Sequence, residues 1–126
     1  MKRILVIEDN SAMREEIVAI LGFEGFDVVD AEDGQIGLQV LSTKRPDLIL
    51  CDVMMPNLDG YGTLEAVRKD PATSHVPFVF LTAKASAADR ARGTALGANA
   101  YMVKPFSVDT IVDTINDLLG TEHLAG

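Results

Sequence analysis

Four short, unbroken apolar runs, each followed by a stretch of helical periodicity, constrain the fold more than any other feature. They are Ile4-Leu5-Val6-Ile7, Leu48-Ile49-Leu50-Cys51, Phe78-Val79-Phe80-Leu81 and Tyr101-Met102-Val103. Strands that are apolar on both faces are typical of a parallel sheet covered by helices on both sides. A further segment, 26–31, is interrupted by Asp27 and Asp30, which indicates a half-exposed strand at the edge of the sheet.

Helical patterns with a period near 3.6 separate these strands. The first is expected to begin at Asn10 or Ser11 and to end at Gly22 or Gly25. The others are predicted after Asp33-Gly34 and over about 61–69, 86–96 and 107–119, the last with an apolar stripe of Val108, Ile111, Ile115 and Leu118. The alanine-rich helix 86–96 has one large apolar residue, so it should be the most weakly packed. The alternation predicts an α/β fold, a flavodoxin-like doubly wound (βα)5 sandwich with a parallel five-stranded sheet in the order 2-1-3-4-5.

Length and charge limit the classes of function. The 126 residues suit one domain, expected over 1–120 with a C-terminal tail at 121–126. Glu8 interrupts the first apolar run before a secretory leader could form, and no apolar stretch approaches the roughly 18 residues of a membrane span, so a cytoplasmic protein is expected. The net charge of -8 disfavours nucleic acid and anionic membranes as partners. Cys51, the single cysteine, is expected to be a small buried hydrophobe.

Polar residues follow four of the predicted strands where each strand ends. Glu8 and Asp9 follow the first, Asp52 the third, Thr82 the fourth and Lys104 the fifth. Taken singly, each has a plain structural role, such as an acidic first turn, a helix cap or an exposed lysine. Because parallel strands bring their carboxyl ends to one edge of a sheet, we expect these five side chains to share a crevice.

The types of residue in this crevice favour magnesium and phosphoryl chemistry. Closely packed carboxylates repel one another unless a cation intervenes, and hard oxygen ligands without a histidine or cysteine set select Mg²⁺ over zinc. A carboxylate beside Mg²⁺ and an ammonium group can attack a phosphoryl donor. Asp52 is the candidate nucleophile because the third strand is central, with Thr82 and Lys104 expected at the phosphoryl oxygens.

Four motifs at these strand ends, spread between Lys2 and about Leu119, resemble the receiver domains of two-component response regulators. They are Leu5-Val6-Ile7-Glu8-Asp9, then Leu48 to Pro56 with Leu58-Asp59-Gly60, then Leu81-Thr82-Ala83, and finally Gly97 to Phe106. The resemblance implies that Asp52 is phosphorylated. It also implies that Asp9, Asp52 and the Met54 backbone carbonyl hold Mg²⁺, with Glu8 acting through a water.

The same resemblance implies a switch and its partners. Thr82 and Lys104 would bind the phosphoryl group, Lys104-Pro105 would be a cis peptide, and Tyr101 would turn inward when Thr82 moves. That movement would change the face built from the fourth helix, fifth strand and fifth helix, where a downstream protein would bind. The phosphodonor would be a sensor histidine kinase or a histidine phosphotransfer protein. The chain would be a signalling phosphoacceptor rather than an enzyme, although it would assist its own phosphorylation and slow autodephosphorylation.

The sequence departs from the family pattern at one point and varies at two others. The acidic pair is Glu8-Asp9 rather than two aspartates, a variant expected to leave metal binding intact. Met54 and Lys84 occupy two variable positions that in this family influence how long the phosphoryl group persists.

Two other readings remain open at this stage. A magnesium-dependent phosphatase or phosphotransferase of the haloacid dehalogenase type also uses an aspartate nucleophile, but it needs a second aspartate where this chain has Met54. A flavin carrier or nucleotide switch needs a glycine-containing phosphate loop after the first strand, and residues 8–13 contain no glycine.

Overall fold

The computed structural model describes residues 1–83 and 86–120, which form five strands and five helices in strict alternation. The predicted tail at 121–126 lies outside the described residues. The elements are β1 Arg3–Ile7, α1 Ser11–Phe23, β2 Asp27–Ala31, α2 Gly34–Lys44, β3 Leu48–Cys51, α3 Gly60–Lys69, β4 Phe78–Thr82, α4 Ala87–Ala95, β5 Ala100–Val103 and α5 Val108–Leu119. All strand pairs are parallel and the order is β2-β1-β3-β4-β5, which confirms the predicted fold.

A polar side chain caps the start of every helix by accepting a hydrogen bond from a backbone N–H three residues on. The caps are Asn10, Asp33, Asp59, Ser86 and Ser107. Of the two caps expected for α1, the structure uses Asn10, whose side chain accepts from the N–H of Met13 at 2.9 Å. Helix α1 ends at Phe23, between the two glycines expected to stop it, and Gly25 then turns the chain with a φ of 93°.

The core lies in two layers because successive side chains of a strand point to opposite faces of the sheet. Leu5, Ile49 and Phe80 pack on the face covered by α2 and α3, whereas Val6, Leu50 and Leu81 pack on the face covered by α1 and α5. Every residue of β3 and β4 is buried, as the unbroken apolar runs predicted. Strand β2 lies at the edge and is largely half-buried, as its interrupting acids indicated.

One apolar position differs from its expected role. Val108 is 41% exposed, whereas Ile111 and Ile115 of the same predicted stripe are fully buried. Val108 is the first residue of α5, so it lies before the part of the helix that packs on the sheet. Within residues 1–83 and 86–120, no helix has the length and hydropathy required to cross a bilayer.

Strand register determines which strand-end residues become neighbours. Ile7 pairs with Cys51, so Glu8 and Asp52 leave adjacent strands at the same level. Thr82 pairs with Val103, which places Lys104 beside the end of β4, and the Lys104 N–H donates to the Thr82 carbonyl at 2.8 Å. The polar strand ends therefore meet above the centre of the sheet.

Candidate functional site

The Lys104 ammonium group connects carboxylates from two other strand ends. Its Nζ lies 2.6 Å from Glu8 Oε1 and 3.1 Å from Asp52 Oδ2. The side chains of Lys104, Glu8 and Asp52 are 17%, 3% and 11% exposed, respectively, so the contacts are largely shielded from solvent. Burial alone would lower the pKa of Lys104, but the hydrogen bond to Glu8 and the charge of Asp52 outweigh burial and raise it.

Glu8 is the most deeply buried carboxyl of the site, at 2% exposure. The pKa of Glu8 is raised to about 7, chiefly by burial and also by the nearby charge of Asp52, against the lowering effect of its hydrogen bond to Lys104. The N–H of Asn10 also lies 3.3 Å from Glu8 Oε2. Near neutral pH this carboxyl is therefore partly protonated in the absence of an additional cation.

Asp52 is held by its own loop. Its Oδ1 accepts a hydrogen bond from the N–H of Val53 at 2.7 Å, while Oδ2 faces Lys104. The loop folds back so closely that a Cβ added at Gly60 would lie 2.2 Å from the Asp52 carbonyl oxygen. The glycine of the Asp59-Gly60 pair is thus required by this close approach, and the approach fixes the backbone that carries Asp52.

Three acidic side chains of the crevice have the arrangement of a metal site. Carboxylate oxygens of Glu8, Asp9 and Asp52 all lie within 4.8 Å of one another, and Asp9 is exposed at the mouth. The donor set contains only hard oxygens, and Lys104 supplies one positive charge against three carboxylates, so the residues present fit Mg²⁺. Met54 lies in the loop that follows β3 and is 61% exposed. The family resemblance, rather than this exposure, implies its backbone carbonyl as a metal ligand.

Two residues of the predicted switch, Thr82 and Tyr101, lie on one face of the sheet. Thr82, the last residue of β4, is 1% exposed, and Tyr101 pairs with Phe80 two residues before it. The Tyr101 ring packs against the Phe80 ring at 5.5 Å between centroids, and its hydroxyl lies 3.5 Å from that of Tyr61. Burial raises the pKa of the Tyr101 phenol, and the Tyr61 hydroxyl adds to this rise.

The Tyr101 ring is half-buried against Phe80. Its turn inward when Thr82 moves remains a prediction. The ring fits there because Gly93 of α4 has no side chain to occupy the space. The Lys104-Pro105 peptide is cis, and the Pro105 side chain is exposed at the rim of the crevice.

Sequence reasoning missed Tyr61, which is buried under α4 and contacts both α4 and Tyr101. Its position next to Gly60 at the start of α3 was visible, but nothing in the helical pattern identifies a partner 40 residues away. It also missed Arg14, whose guanidinium donates to the Glu8 carbonyl at 2.8 Å and so supports the backbone of the acidic pair. A lone arginine on the polar face of a helix gives no sequence signal for such a contact.

The first strand-to-helix junction does not have the form of a nucleotide loop. Residues 8–10 lead directly into α1, where the Asn10 side chain accepts a hydrogen bond from the Met13 N–H in the first turn. The exposed Asp9 and buried Glu8 place acid where a cofactor phosphate would have to lie. The junction is therefore suited to a cation rather than to a flavin or nucleotide phosphate.

Comparisons with known proteins agree with this geometry. Residues 4–116 match the family model described as the response regulator receiver domain. The chain is 42% identical over 118 residues to the probable transcriptional regulator ycf27 of Cyanophora paradoxa, covering 94% of this chain and 48% of that protein. It is 34% identical over 119 residues to protein PilH of Pseudomonas aeruginosa, covering 94% of this chain and 98% of that protein. The chain thus spans about half the length of several curated relatives and nearly the whole length of another.

The solved structures show the same architecture. The chemotaxis protein CheY4 of Vibrio cholerae aligns with a TM-score of 0.89 at 30% identity, covering 94% of this chain and 98% of that one. A response regulator from Chloroflexus aurantiacus aligns with a TM-score of 0.90 at 31% identity, covering 94% of this chain and 98% of that one. The strand-end acids, the sheet order and these matches all agree, and the chain belongs to the response regulator receiver domains of two-component signalling.

Proposed function

We propose that Asp52 accepts a phosphoryl group from a phosphohistidine on a sensor histidine kinase or a histidine phosphotransfer protein. The observation that supports this most strongly is the shared ammonium group: Lys104 contacts Glu8 at 2.6 Å and Asp52 at 3.1 Å. Lys104 thus brings a positive charge to Asp52, which is 9% exposed at the centre of the crevice. A phosphoryl group requires such a charge at its oxygens during transfer.

In the proposed step, a carboxylate oxygen of Asp52 attacks phosphorus as the bond from phosphorus to the imidazole nitrogen breaks. The imidazole leaves with that electron pair, and the product is an aspartyl phosphate. Lys104 remains at the site and contacts the transferred oxygens, and the Thr82 hydroxyl donates a hydrogen bond to one of them. The N–H of Val53, at 2.7 Å from Asp52 Oδ1, holds the nucleophile in place.

Asp9, Asp52 and the Met54 carbonyl are proposed to hold Mg²⁺, with Glu8 acting through a water. The oxygen cluster within 4.8 Å and the excess of acid over base support this assignment. When bound, Mg²⁺ offsets the negative charge of the phosphoryl oxygens. The same groups are proposed to allow slow autodephosphorylation, in which water attacks the phosphorus, inorganic phosphate is released and the Asp52 carboxylate is restored. The domain would then be a signalling phosphoacceptor rather than a multiple-turnover enzyme.

The phosphoryl group is proposed to act on α4, β5 and α5 through Thr82. The aspartyl phosphate carries up to about two negative charges where the carboxylate carried one, and its added oxygens attract both Lys104 and the Thr82 hydroxyl. Because Thr82, Phe80 and Tyr101 share a face of the sheet, movement of Thr82 opens space toward which Tyr101 turns. Pro105 follows Lys104 and transmits its position to α5. The altered face would bind a downstream protein in the cytoplasm rather than nucleic acid, consistent with a net charge of -8.

The test uses acetyl phosphate as a small phosphodonor with MgCl₂, read out by intact mass. The wild type should gain the mass of one phosphoryl group, and Asp52→Asn should gain none. Asp59→Asn is the matched control, because Asp59 lies in the same loop and asparagine also caps a helix. Equal phosphorylation of Asp52→Asn and the wild type would refute the assignment of Asp52.

A further inference from the structure

Helix α4 is seated on the domain with little apolar packing. Of its nine residues, Gly93 is the one that is buried. A Cβ added at Gly93 would lie 3.2 Å from ring atoms of both Phe80 and Tyr101, so the helix backbone rests on these two rings. Since burial of a glycine adds little hydrophobic stabilisation, polar contacts contribute a large share of what holds α4 in this position.

Tyr61 supplies two of these contacts from α3. The side chain is 2% exposed, and its hydroxyl donates to the Asp89 carbonyl of α4 at 3.2 Å. The guanidinium carbon of Arg92, one turn further along α4, lies 4.1 Å from the centre of the Tyr61 ring. Such a cation over an aromatic face is attractive. One side chain of α3 therefore fastens two successive turns of α4.

The same hydroxyl also reaches β5. It lies 3.5 Å from the Tyr101 hydroxyl, and a phenol can donate one hydrogen bond while accepting another. Tyr61 can thus donate to Asp89 and accept from Tyr101 at once. Phe80 lies between the two tyrosines, 5.2 Å and 5.5 Å from them, and sets their spacing. Contacts from α3, α4 and β5 meet at a single oxygen atom.

We infer that the Tyr61 hydroxyl is a positioning group of the phosphorylation switch, because it holds α4 and Tyr101 in the arrangement in which Lys104 binds the Asp52 carboxylate. The inference rests on the proposed function and adds a residue to it. For Tyr101 to turn toward the space opened by Thr82, its hydroxyl must leave Tyr61, and displacement of α4 breaks the bond to Asp89. Removing the hydroxyl therefore favours the phosphoryl-bound arrangement.

The test is Tyr61→Phe, which keeps the ring and the contact with Arg92 but removes the hydroxyl. Beryllofluoride in MgCl₂ serves as the phosphoryl mimic, and the backbone NMR signal of Gly93 reports the conversion. Loss of the hydrogen bond to Asp89 and of the longer contact with Tyr101 should lower the beryllofluoride concentration for half-conversion about fivefold, which corresponds to ~1 kcal/mol. Amide exchange in α4 should accelerate by a similar factor.

Thr63→Val is the matched control. Thr63 lies on the same helix, is 0% exposed and donates its hydroxyl to the Asp59 carbonyl at 2.8 Å, away from α4. It should leave the half-conversion concentration at the wild-type value.

The outcomes separate this inference from the proposed function. If both variants lose stability while the half-conversion concentration of Tyr61→Phe stays at the wild-type value or rises, Tyr61 is structural and the inference is overturned. If the wild type itself does not respond to beryllofluoride, the proposed function fails. The comparison of α4 amide exchange then decides whether Tyr61 fastens the helix.

Discussion

The buried carboxyl of Glu8 gives the metal-free domain a pH-dependent stability. Burial raises its pKa from 4.5 to about 7, so the folded state binds this proton more tightly than the unfolded state. The stability from that proton is fully present below pH 4.5 and is lost as the pH rises through about 7. At about 1.4 kcal/mol per pH unit, the total change is about 3 kcal/mol. Glu8 is 2% exposed, so solvent screening reduces this figure little.

The perturbation that isolates this effect is Glu8→Gln, which is neutral at every pH and can still accept a hydrogen bond from Lys104. Without metal, the variant should be more stable than the wild type by no more than about 1 kcal/mol at pH 5 and by about 3 kcal/mol at pH 8. Taking the difference between the two proteins removes all other titrating groups from the comparison, except those that respond to Glu8 itself.

The assay is urea unfolding followed by circular dichroism at several pH values, in EDTA and again in MgCl₂. Because Mg²⁺ requires ionised carboxylates, it should stabilise the wild type more at pH 8 than at pH 5. A difference between wild type and Glu8→Gln that stays constant from pH 5 to pH 8 in EDTA would refute the reasoning, since it would show that Glu8 does not titrate in this range in the folded state.

Two further predictions concern stability. The Arg68 guanidinium donates to the carbonyls of Val76, Gly97 and Ser74 and to the Asn99 side chain, at 2.6 to 3.3 Å. Arg68→Leu should therefore lower the free energy of unfolding by about 2–4 kcal/mol in urea titrations. Arg68→Lys should recover less than half of that loss. Wild-type stability of Arg68→Leu would contradict this. Gly60→Ala should lower the free energy of unfolding by about 3 kcal/mol or more, because its Cβ would lie 2.2 Å from the Asp52 carbonyl oxygen. Gly22→Ala, whose Cβ would have no atom within 4 Å, should instead raise that free energy by about 0.5–1 kcal/mol in thermal melts. Similar effects of the two alanines would count against the close approach at Asp52.

The strands and the crevice could be predicted because local patterns determine them. Unbroken apolar runs such as 48–51 require burial on both faces, and a parallel sheet then brings the residues after those runs to one edge. Glu8, Asp52 and Lys104 could therefore be assigned to one crevice before any distance was known, and the structure places them within hydrogen-bond range.

The contacts between helices could not be predicted in the same way. Periodicity shows which side of a helix is apolar but not which side chain of another element it meets. Tyr61 and Tyr101 meet because Gly93 leaves room for a ring, and Arg68 reaches loops that follow both α3 and α4. The exposure of Val108 likewise depends on where α5 first touches the sheet, which the stripe itself does not specify.

The bare backbone of α4 at Gly93 has a mechanical consequence. Helices usually interlock through ridges of side chains that fit into grooves, and sliding one past another then requires many side chains to repack together. Gly93 has no side chain and packs against the rings of Phe80 and Tyr101, so at this contact no ridge has to leave a groove. Small translations of the helix therefore meet a low energy barrier at this contact. Once its hydrogen bond to Tyr61 is released, such a helix can re-equilibrate within microseconds to milliseconds. Under the proposed function, the formation and hydrolysis of the aspartyl phosphate would then be slower than the movement of the helix and would set the duration of the signal.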